Sequence, residues 1–132
     1  MMPVATKLKF LEKFQAIAWK KLSRKNRCYH IAFIFKKNRI LSIGLNSKKT
    51  HPKIKKYGYE DFSRLHAELS ACIRFGQNDC KKYSIAVLRI DRNGKLNQSK
   101  PCNCCSNVIR QLKFKKVYFT NSKGEWELYE NN

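Results

Sequence analysis

The sequence predicts an α/β fold: a mixed five-stranded sheet flanked by helices, in the order α-β-β-α-β-α-β-β. Three observations predict it. Apolar residues recur at helical spacing in three segments, and among these segments lie short runs rich in β-branched and aromatic residues. Two of the helical segments open on metal-ligand side chains, His66-Ala67-Glu68 and Pro101-Cys102-Asn103-Cys104-Cys105. The last two strands are separated only by a tight turn around Gly124, too short for a crossover helix, so they are expected to run antiparallel. The chain, residues 1–132, is read as a single domain with one hydrophobic core.

Leu8, Leu11, Phe14, Ala18 and Leu22 recur at helical spacing, with Phe10 and Ile17 beside them and lysines between. This predicts a first amphipathic helix with a basic outer face. Tyr29 to Phe35 is an apolar, β-branched and aromatic run that suits a central strand buried on both faces. Lys36-Lys37-Asn38 turns the chain, and Ile40 to Leu45 completes a hairpin. Asn46 to Ser63 carries no periodicity. A second helix runs from Arg64 to Phe75, with Ser63 as N-cap, Leu65, Leu69, Cys72 and Ile73 on its buried side, and Gly76 as its stop. Ser84 to Ile90 is a third strand, followed by a turn at Asn93-Gly94. Cys102 to Leu112 is the third helix, entered from Pro101. Val117 to Thr120 and Trp126 to Tyr129 are the last two strands.

Charge is the extreme feature of the composition. The chain carries 29 Lys+Arg against 9 Asp+Glu, a formal net charge of +20. Glu125, Glu127 and Glu130 crowd the C-terminal end, so the remaining surface is almost uniformly basic. A lysine-rich, AT-biased genome would account for the lysines but not for the shortage of acids. A polyanionic partner accounts for both. The segment after Asn46 interleaves Lys48, Lys49, Lys53, Lys55 and Lys56 with Tyr57 and Tyr59. Lysines that track phosphates and rings that stack on bases suit a single strand; a merely solvated surface loop is the plainer alternative. No apolar stretch is long enough to span a membrane, and lysines interrupt Met1 to Leu22 too often for a signal peptide. Six cysteines with a metal-type grouping suit a reducing compartment, which places the protein in the cytoplasm.

His66 and cysteines of the second cluster offer nitrogen and sulfur to zinc, while Glu68 need not be a ligand. A structural zinc site closes with four protein ligands, and a catalytic one leaves a position for water. His30, His51 and Cys104 are candidates for a fourth ligand in the structural case, but that case leaves Glu68 without a task. Three ligands and a carboxylate suit metal-assisted hydrolysis, with Glu68 shuttling protons.

The two clusters together form the H-x-E and P-C-x-x-C signature of zinc nucleobase deaminases, and the chain resembles the cytidine and deoxycytidylate deaminase superfamily. The resemblance covers nearly the whole chain and implies its three-layer fold, with both metal motifs at helix N-termini on one side of a five-stranded sheet. It places the zinc ligands at His66, Cys102 and Cys105 and the catalytic carboxylate at Glu68, and leaves Cys104 as a small apolar residue. It also implies substrate contacts from Asn46, after Gly44-Leu45, and from the backbone amide of Ala67. Antiparallel final strands are the arrangement of cytidine deaminases. His before Ala-Glu is a feature shared with tRNA adenosine and APOBEC-like deaminases. Ser99-Lys100-Pro101-Cys102, Val117 to Thr120 and Gly124-Glu125-Trp126 are similar to deaminase-like proteins of phages and large viruses, which would put the chain in a host cytoplasm.

Charge and motif together predict a zinc-dependent hydrolase that converts cytosine to uracil in single-stranded nucleic acid, DNA ahead of RNA. The alternatives are a free cytidine or deoxycytidylate deaminase, an RNA adenosine deaminase, and a non-catalytic zinc-stabilised nucleic-acid-binding module. Many members of the family are oligomers, so self-association is left open.

Overall fold

The computed structural model describes residues 2–3, 9–22, 29–46 and 66–130. The elements are β1 (Met2–Pro3), α1 (Lys9–Leu22), β2 (Tyr29–Lys36), β3 (Arg39–Leu45), α2 (Ala67–Phe75), β4 (Ser84–Ile90), β5 (Leu96–Asn97), α3 (Asn103–Gln111), β6 (Lys116–Thr120) and β7 (Trp126–Glu130). They build one mixed sheet in the order β1-β7-β6-β4-β2-β3, with β5 added beside the end of β4. The expected α-β-β-α-β-α-β-β order is present. Among the described residues the sheet has seven strands rather than five, because β1 and β5 are two-residue additions that pair with β7 and β4. Segments that short carry no alternation in the sequence.

β2 and β3 form the expected antiparallel hairpin, with Lys37 in its turn at a φ of 56°. β6 and β7 are antiparallel, joined through a turn in which Gly124 takes a φ of 76°. β4 and β6 are parallel neighbours. β3 and β4 also run the same way, since both are antiparallel to β2. The two crossovers, β3-α2-β4 and β4-α3-β6, step across the sheet in the same direction. The right-handed rule for such crossovers then puts both helices on one face. It also brings both helix N-termini to the edge where β3, β4 and β6 end.

The alternation of β2 sorts the core. Ile31, Phe33 and Phe35 face α1 and pack with Leu11, Phe14 and Ala18. Ala32 and Ile34 face the other way, into a cluster with Ala67, Leu69, Ala71, Cys105 and Val108 from α2 and α3. On the outer side of α1, Lys9, Lys13 and Lys20 are exposed, as the periodicity predicts. Trp19 Nε1 ties this helix to the β4–β5 turn by donating to the Gly94 carbonyl at 2.8 Å.

α2 differs from expectation at its start. Its N-cap is His66, in extended backbone (φ −75°, ψ 154°), not Ser63. Ser63, Arg64 and Leu65 lie outside the described residues. The helix ends as read, with Gly76 at a φ of 71° returning its N–H to the Cys72 carbonyl. Among the described residues, no helix is long and apolar enough to cross a membrane.

Candidate zinc centre

Both metal-ligand clusters sit at helix caps. His66 caps α2, and Cys102 caps α3 in extended backbone (φ −66°, ψ 171°), one residue earlier than the helix itself begins. A capping position turns its side chain toward the first free N–H groups of the helix. Cys102 Sγ accepts from the Cys105 N–H at 3.5 Å.

Two features hold these caps in place. Gly44 on β3 lies under α2, where a Cβ would strike the Ala67 carbonyl oxygen and the Ala71 nitrogen. Only glycine permits so close an approach, and Ser42 Oγ adds a 2.8 Å bond to the Ala71 carbonyl. Before α3, Ser99 is buried; its Oγ donates to the Val87 carbonyl and accepts from the Thr120 N–H, each at 2.8 Å. That bond pair anchors the chain two residues ahead of Pro101 to the middle of β4 and the end of β6.

The donor atoms converge. His66 Nδ1 is 3.4 Å from Cys105 Sγ and 3.6 Å from Cys102 Sγ, and all three lie within 4.8 Å of one another. Ligands held tetrahedrally at ~2.0–2.3 Å from a zinc ion stand ~3.3–3.8 Å apart, so one nitrogen and two sulfurs at this spacing fit zinc. Burial lowers the His66 pKa, which favours the neutral imidazole that binds metal. Cys105 is buried, His66 half-buried and Cys102 exposed, so the centre opens to solvent on the Cys102 side.

Of the alternative ligands, Cys104 is not in the cluster and packs against the apolar core, and His30 also stands outside it. His51 lies outside the described residues. Cys72 and Cys80 are free, buried thiols with burial-raised pKa values, Cys80 to about 11. Cys28 is outside the described residues.

Glu68 is only 6 % exposed. Burial pushes its pKa up, while hydrogen bonds from its own backbone and from the Cys105 side chain pull it partly back. A carboxyl group whose pKa is raised by burial beside a candidate metal ligand is better suited to hold and return a proton than an exposed one.

Asn46 stands at the end of β3, where its Oδ1 accepts from the His30 N–H at 3.1 Å. Ala67 begins α2 next to the ligand. Lys48, Lys49, Lys53, Lys55, Lys56, Tyr57 and Tyr59 lie outside the described residues. His30 and Arg89 are cross-strand partners where β2 begins and β4 ends, a pairing that the chain read in order does not display. Their signal was a polar residue interrupting an otherwise apolar strand, His30 ahead of Ile31 to Phe35 and Arg89 between Leu88 and Ile90. A separate cavity of about 220 Å³ opens between α3 and the β6–β7 edge, bounded in part by Lys100, Ile109, Arg110 and Tyr129; none of the three metal-binding side chains lines it.

Comparison with known proteins agrees with this geometry. Among solved structures, the deoxycytidylate deaminase of cyanophage S-TIM5 in its apo form superposes with a TM-score of 0.57 at 21% identity, covering 89% of this chain and 86% of that one. The same cyanophage enzyme in complex with dCMP and dUMP gives 0.59 at 22% identity, with coverage of 89% and 85%. A cytidine deaminase from Burkholderia pseudomallei gives 0.58 at 17% identity, covering 96% and 93%. These likenesses show the fold. Comparison with curated proteins returns no match. The family described as the cytidine and deoxycytidylate deaminase zinc-binding region matches residues 5–121, nearly the whole chain, and its zinc site corresponds to a His/Cys/Cys cluster that the fold has assembled from two helix caps. The chain belongs to the cytidine and deoxycytidylate deaminase family, and its cofactor is zinc.

Proposed function

We propose that the protein is a hydrolytic deaminase that converts cytosine to uracil, with residues 1–132 acting as one deaminase domain. The observation that carries this reading is the buried Glu68 carboxyl beside a three-ligand centre that is open to solvent. His66, Cys102 and Cys105 hold the zinc. Bound zinc supplies a strongly acidified water as the nucleophile. Glu68 would carry two protons in turn: the first from the attacking water to the ring nitrogen, the second from the hydroxyl added to the ring carbon to the amino group as it leaves as ammonia. Its burial raises its pKa, the direction that two-way transfer needs. The Ala67 amide, at the first turn of α2, would meet the pyrimidine carbonyl, and Asn46 the sugar or base.

The preferred substrate is cytosine in single-stranded nucleic acid, DNA ahead of RNA, because a net charge of +20 exceeds what one phosphate requires. Lys48, Lys49, Lys53, Lys55 and Lys56, with Tyr57 and Tyr59, follow Asn46 in sequence and would carry that strand. A second reading, a free deoxycytidylate deaminase, is favoured by the fold likeness to a cyanophage enzyme solved with dCMP and dUMP. A site built on two thiolates suits the reducing cytoplasm, of the host if the chain is viral.

The deciding experiment is a side-by-side assay of zinc-loaded protein on deoxycytidine, dCMP, single-stranded DNA and RNA, and adenosine oligonucleotides. Turnover of oligonucleotide that exceeds dCMP and falls steeply with salt supports the first reading. Equal turnover, with salt affecting both alike, selects the second. Loss of ammonia from none of the cytosine substrates overturns both.

A further inference from the structure

The sheet reaches further than α3 does. On the face that carries the zinc centre, α3 packs toward β6 through Val108, Ile109 and Leu112, which share a cluster with Val117 and Phe119. β7 lies one strand further out, antiparallel to β6, with Tyr129 opposite Val117. Directly opposed residues share a face, so Tyr129 stands on the α3 side of the sheet. Trp126 and Leu128 alternate to the other side and pack in the α1 cluster. Tyr129 is 47 % exposed, the most open of the large apolar side chains among the described residues.

The step between α3 and β7 holds the cavity of about 220 Å³. Its floor is Ile109, Phe114, Val117 and Phe119, all buried, with Tyr129 as the outer wall. Its rim is basic. Lys100, ahead of α3, and Arg110, in its last turn, are both exposed. Neither makes an ion pair or a side-chain hydrogen bond among the described residues. Glu127, which register sets opposite Phe119, does not line the cavity. Ser106 Oγ does, but it already donates to the Pro101 carbonyl at 3.2 Å. An apolar cavity of ~150 Å³ takes one benzene, whereas small-molecule sites run to ~300–1,000 Å³. This one has room for one ring or one branched side chain, not for a nucleotide. A nucleobase would also bring ring nitrogens and carbonyls onto a floor that offers them no free partner, and each group left unsatisfied weakens binding. A second copy of this chain would bring its own charge of +20 against the same basic rim. A partner with an apolar anchor between acidic flanks suits floor and rim together.

We propose that the cavity beside α3 is a docking site for an acidic partner protein. The partner seats one apolar side chain, an aromatic ring or a leucine, on the floor and sets carboxylates against Lys100 and Arg110. Burial of the anchor supplies the affinity, and the two cations supply the orientation. The site is separate from the zinc centre, so it stands whatever substrate the centre acts on. Pro101 lines the cavity one residue before the Cys102 ligand, so a docked partner borders the centre on its Cys102 side.

The test is equilibrium binding by the zinc-loaded full chain, read as fluorescence anisotropy of end-blocked, dye-labelled heptapeptides at physiological salt. The first probe has a central phenylalanine among aspartates and glutamates. The second has alanine in its place, and a thymidine heptanucleotide is the third. The phenylalanine probe is expected to bind about 10- to 100-fold more tightly than the alanine probe, the worth of burying one ring. Arg110→Glu should weaken it about 5-fold or more. Lys13→Glu, the same charge change on the outer side of α1, should weaken it less than about 2-fold, because salt screens a distant charge. Tyr129→Ser should shrink the preference for phenylalanine over alanine. All three substituted side chains are exposed, and unfolding at the wild-type temperature with zinc retained shows that each variant is intact. Rim and wall are tested separately, so loss of one variant to misfolding leaves the other decisive. Equal binding of the two peptides, equal losses in Lys13→Glu and Arg110→Glu, or no binding would overturn the proposal. An oligonucleotide that binds as tightly as the phenylalanine probe and is lost in Tyr129→Ser would also overturn it and make this a nucleic-acid surface. A wild-type dimer in sedimentation that Tyr129→Ser dissolves would overturn it in favour of a contact between copies.

Discussion

The two faces of the sheet are built from different materials. The α1 face is a block of rings: Phe14 stacks on Phe33 at 4.6 Å and 10°, and Phe10, Phe35 and Tyr118 close around them at centroid distances of 4.9–6.0 Å. Trp126 is also fully packed there. The opposite face is lined under α2 by small residues, Ala32, Gly44, Ala67 and Ala71. Rings fill volume and supply stability; each buries a large apolar area. Small residues let α2 come down onto the strands, which fixes the position of its cap and of the His66 ligand. One face stabilises the sheet, and the other places helix ends. The same chain separates the two tasks by the alternation of its central strands β2, β4 and β6.

That separation predicts mutations with opposite signatures. The largest effect on rate should come from Glu68→Gln, which removes the proposed proton carrier. Turnover should drop by ~10²–10⁴-fold while zinc content is unchanged, measured by ammonia release and metal analysis. Its effect on stability has the other sign. The Glu68 pKa is raised by burial, so the ionised form is disfavoured in the folded state, and the zinc-free wild type is penalised as pH rises above 4.5. Zinc-free Glu68→Gln should therefore unfold at the same temperature as wild type or higher near pH 7. A variant that lost both rate and folding would mean that Glu68 is structural.

Phe14→Ala should do the converse. Phe14 is fully buried among Phe10, Phe33 and Phe35, and its truncation should cost ~3–5 kcal/mol in denaturant titration. Protein that remains folded should bind zinc with wild-type affinity, because no ring of this cluster reaches the three ligands. Weakened zinc binding in the folded fraction would mean that the faces are coupled through the sheet.

Gly44→Ala sharpens the contrast by placing a packing error on the other face. The added methyl meets backbone atoms of Ala67 and Ala71, which cannot rotate away. A cost of ~1–3 kcal/mol is expected from overpacking. Unlike Phe14→Ala, the change should also weaken zinc binding in chelator competition, because α2 must lift and carry His66 with it. Unchanged zinc affinity would show that the cap does not depend on the close approach.

Local pattern made much of this legible. The spacing of Leu11, Phe14 and Ala18 on α1, the run Tyr29 to Phe35, the stop at Gly76 and the tight turn at Gly124 are signals that neighbours in sequence carry by themselves. The candidate zinc cluster was legible because zinc takes few ligand types, and His66, Cys102 and Cys105 do converge. What escaped depends on pairing across the sheet. That His30 faces Arg89, that Ser99 closes a bond pair between β4 and β6, and that Gly44 lies beneath Ala67 all follow from register, which a single chain read in order does not display. The cap of α2 stands at His66, three residues after Ser63. The two-residue strands β1 and β5 are too short for periodicity to mark.

The smallest effect should come from Cys104→Ser, and its smallness is informative. Cys104 sits between two thiol ligands in sequence and would be their closest competitor for metal. The helix resolves the competition by direction. Residues three apart share a helical face, so Cys102 and Cys105 turn together toward His66. Cys104 is left half-buried against the α2/α3 core cluster. There it acts as a small apolar group, and serine replaces it with a slightly smaller, more polar one. The expected cost is within about 1 kcal/mol. Zinc should stay at one per chain with unchanged affinity, whereas Cys102→Ser and Cys105→Ser should each weaken binding strongly. Retention by Cys104→Ser and loss by the other two, read in the same chelator competition, would establish which sulfurs hold the metal. Loss of zinc in Cys104→Ser would mean that α3 turns about its axis when metal binds, and that the sulfur pair facing His66 is not the one that closes on zinc.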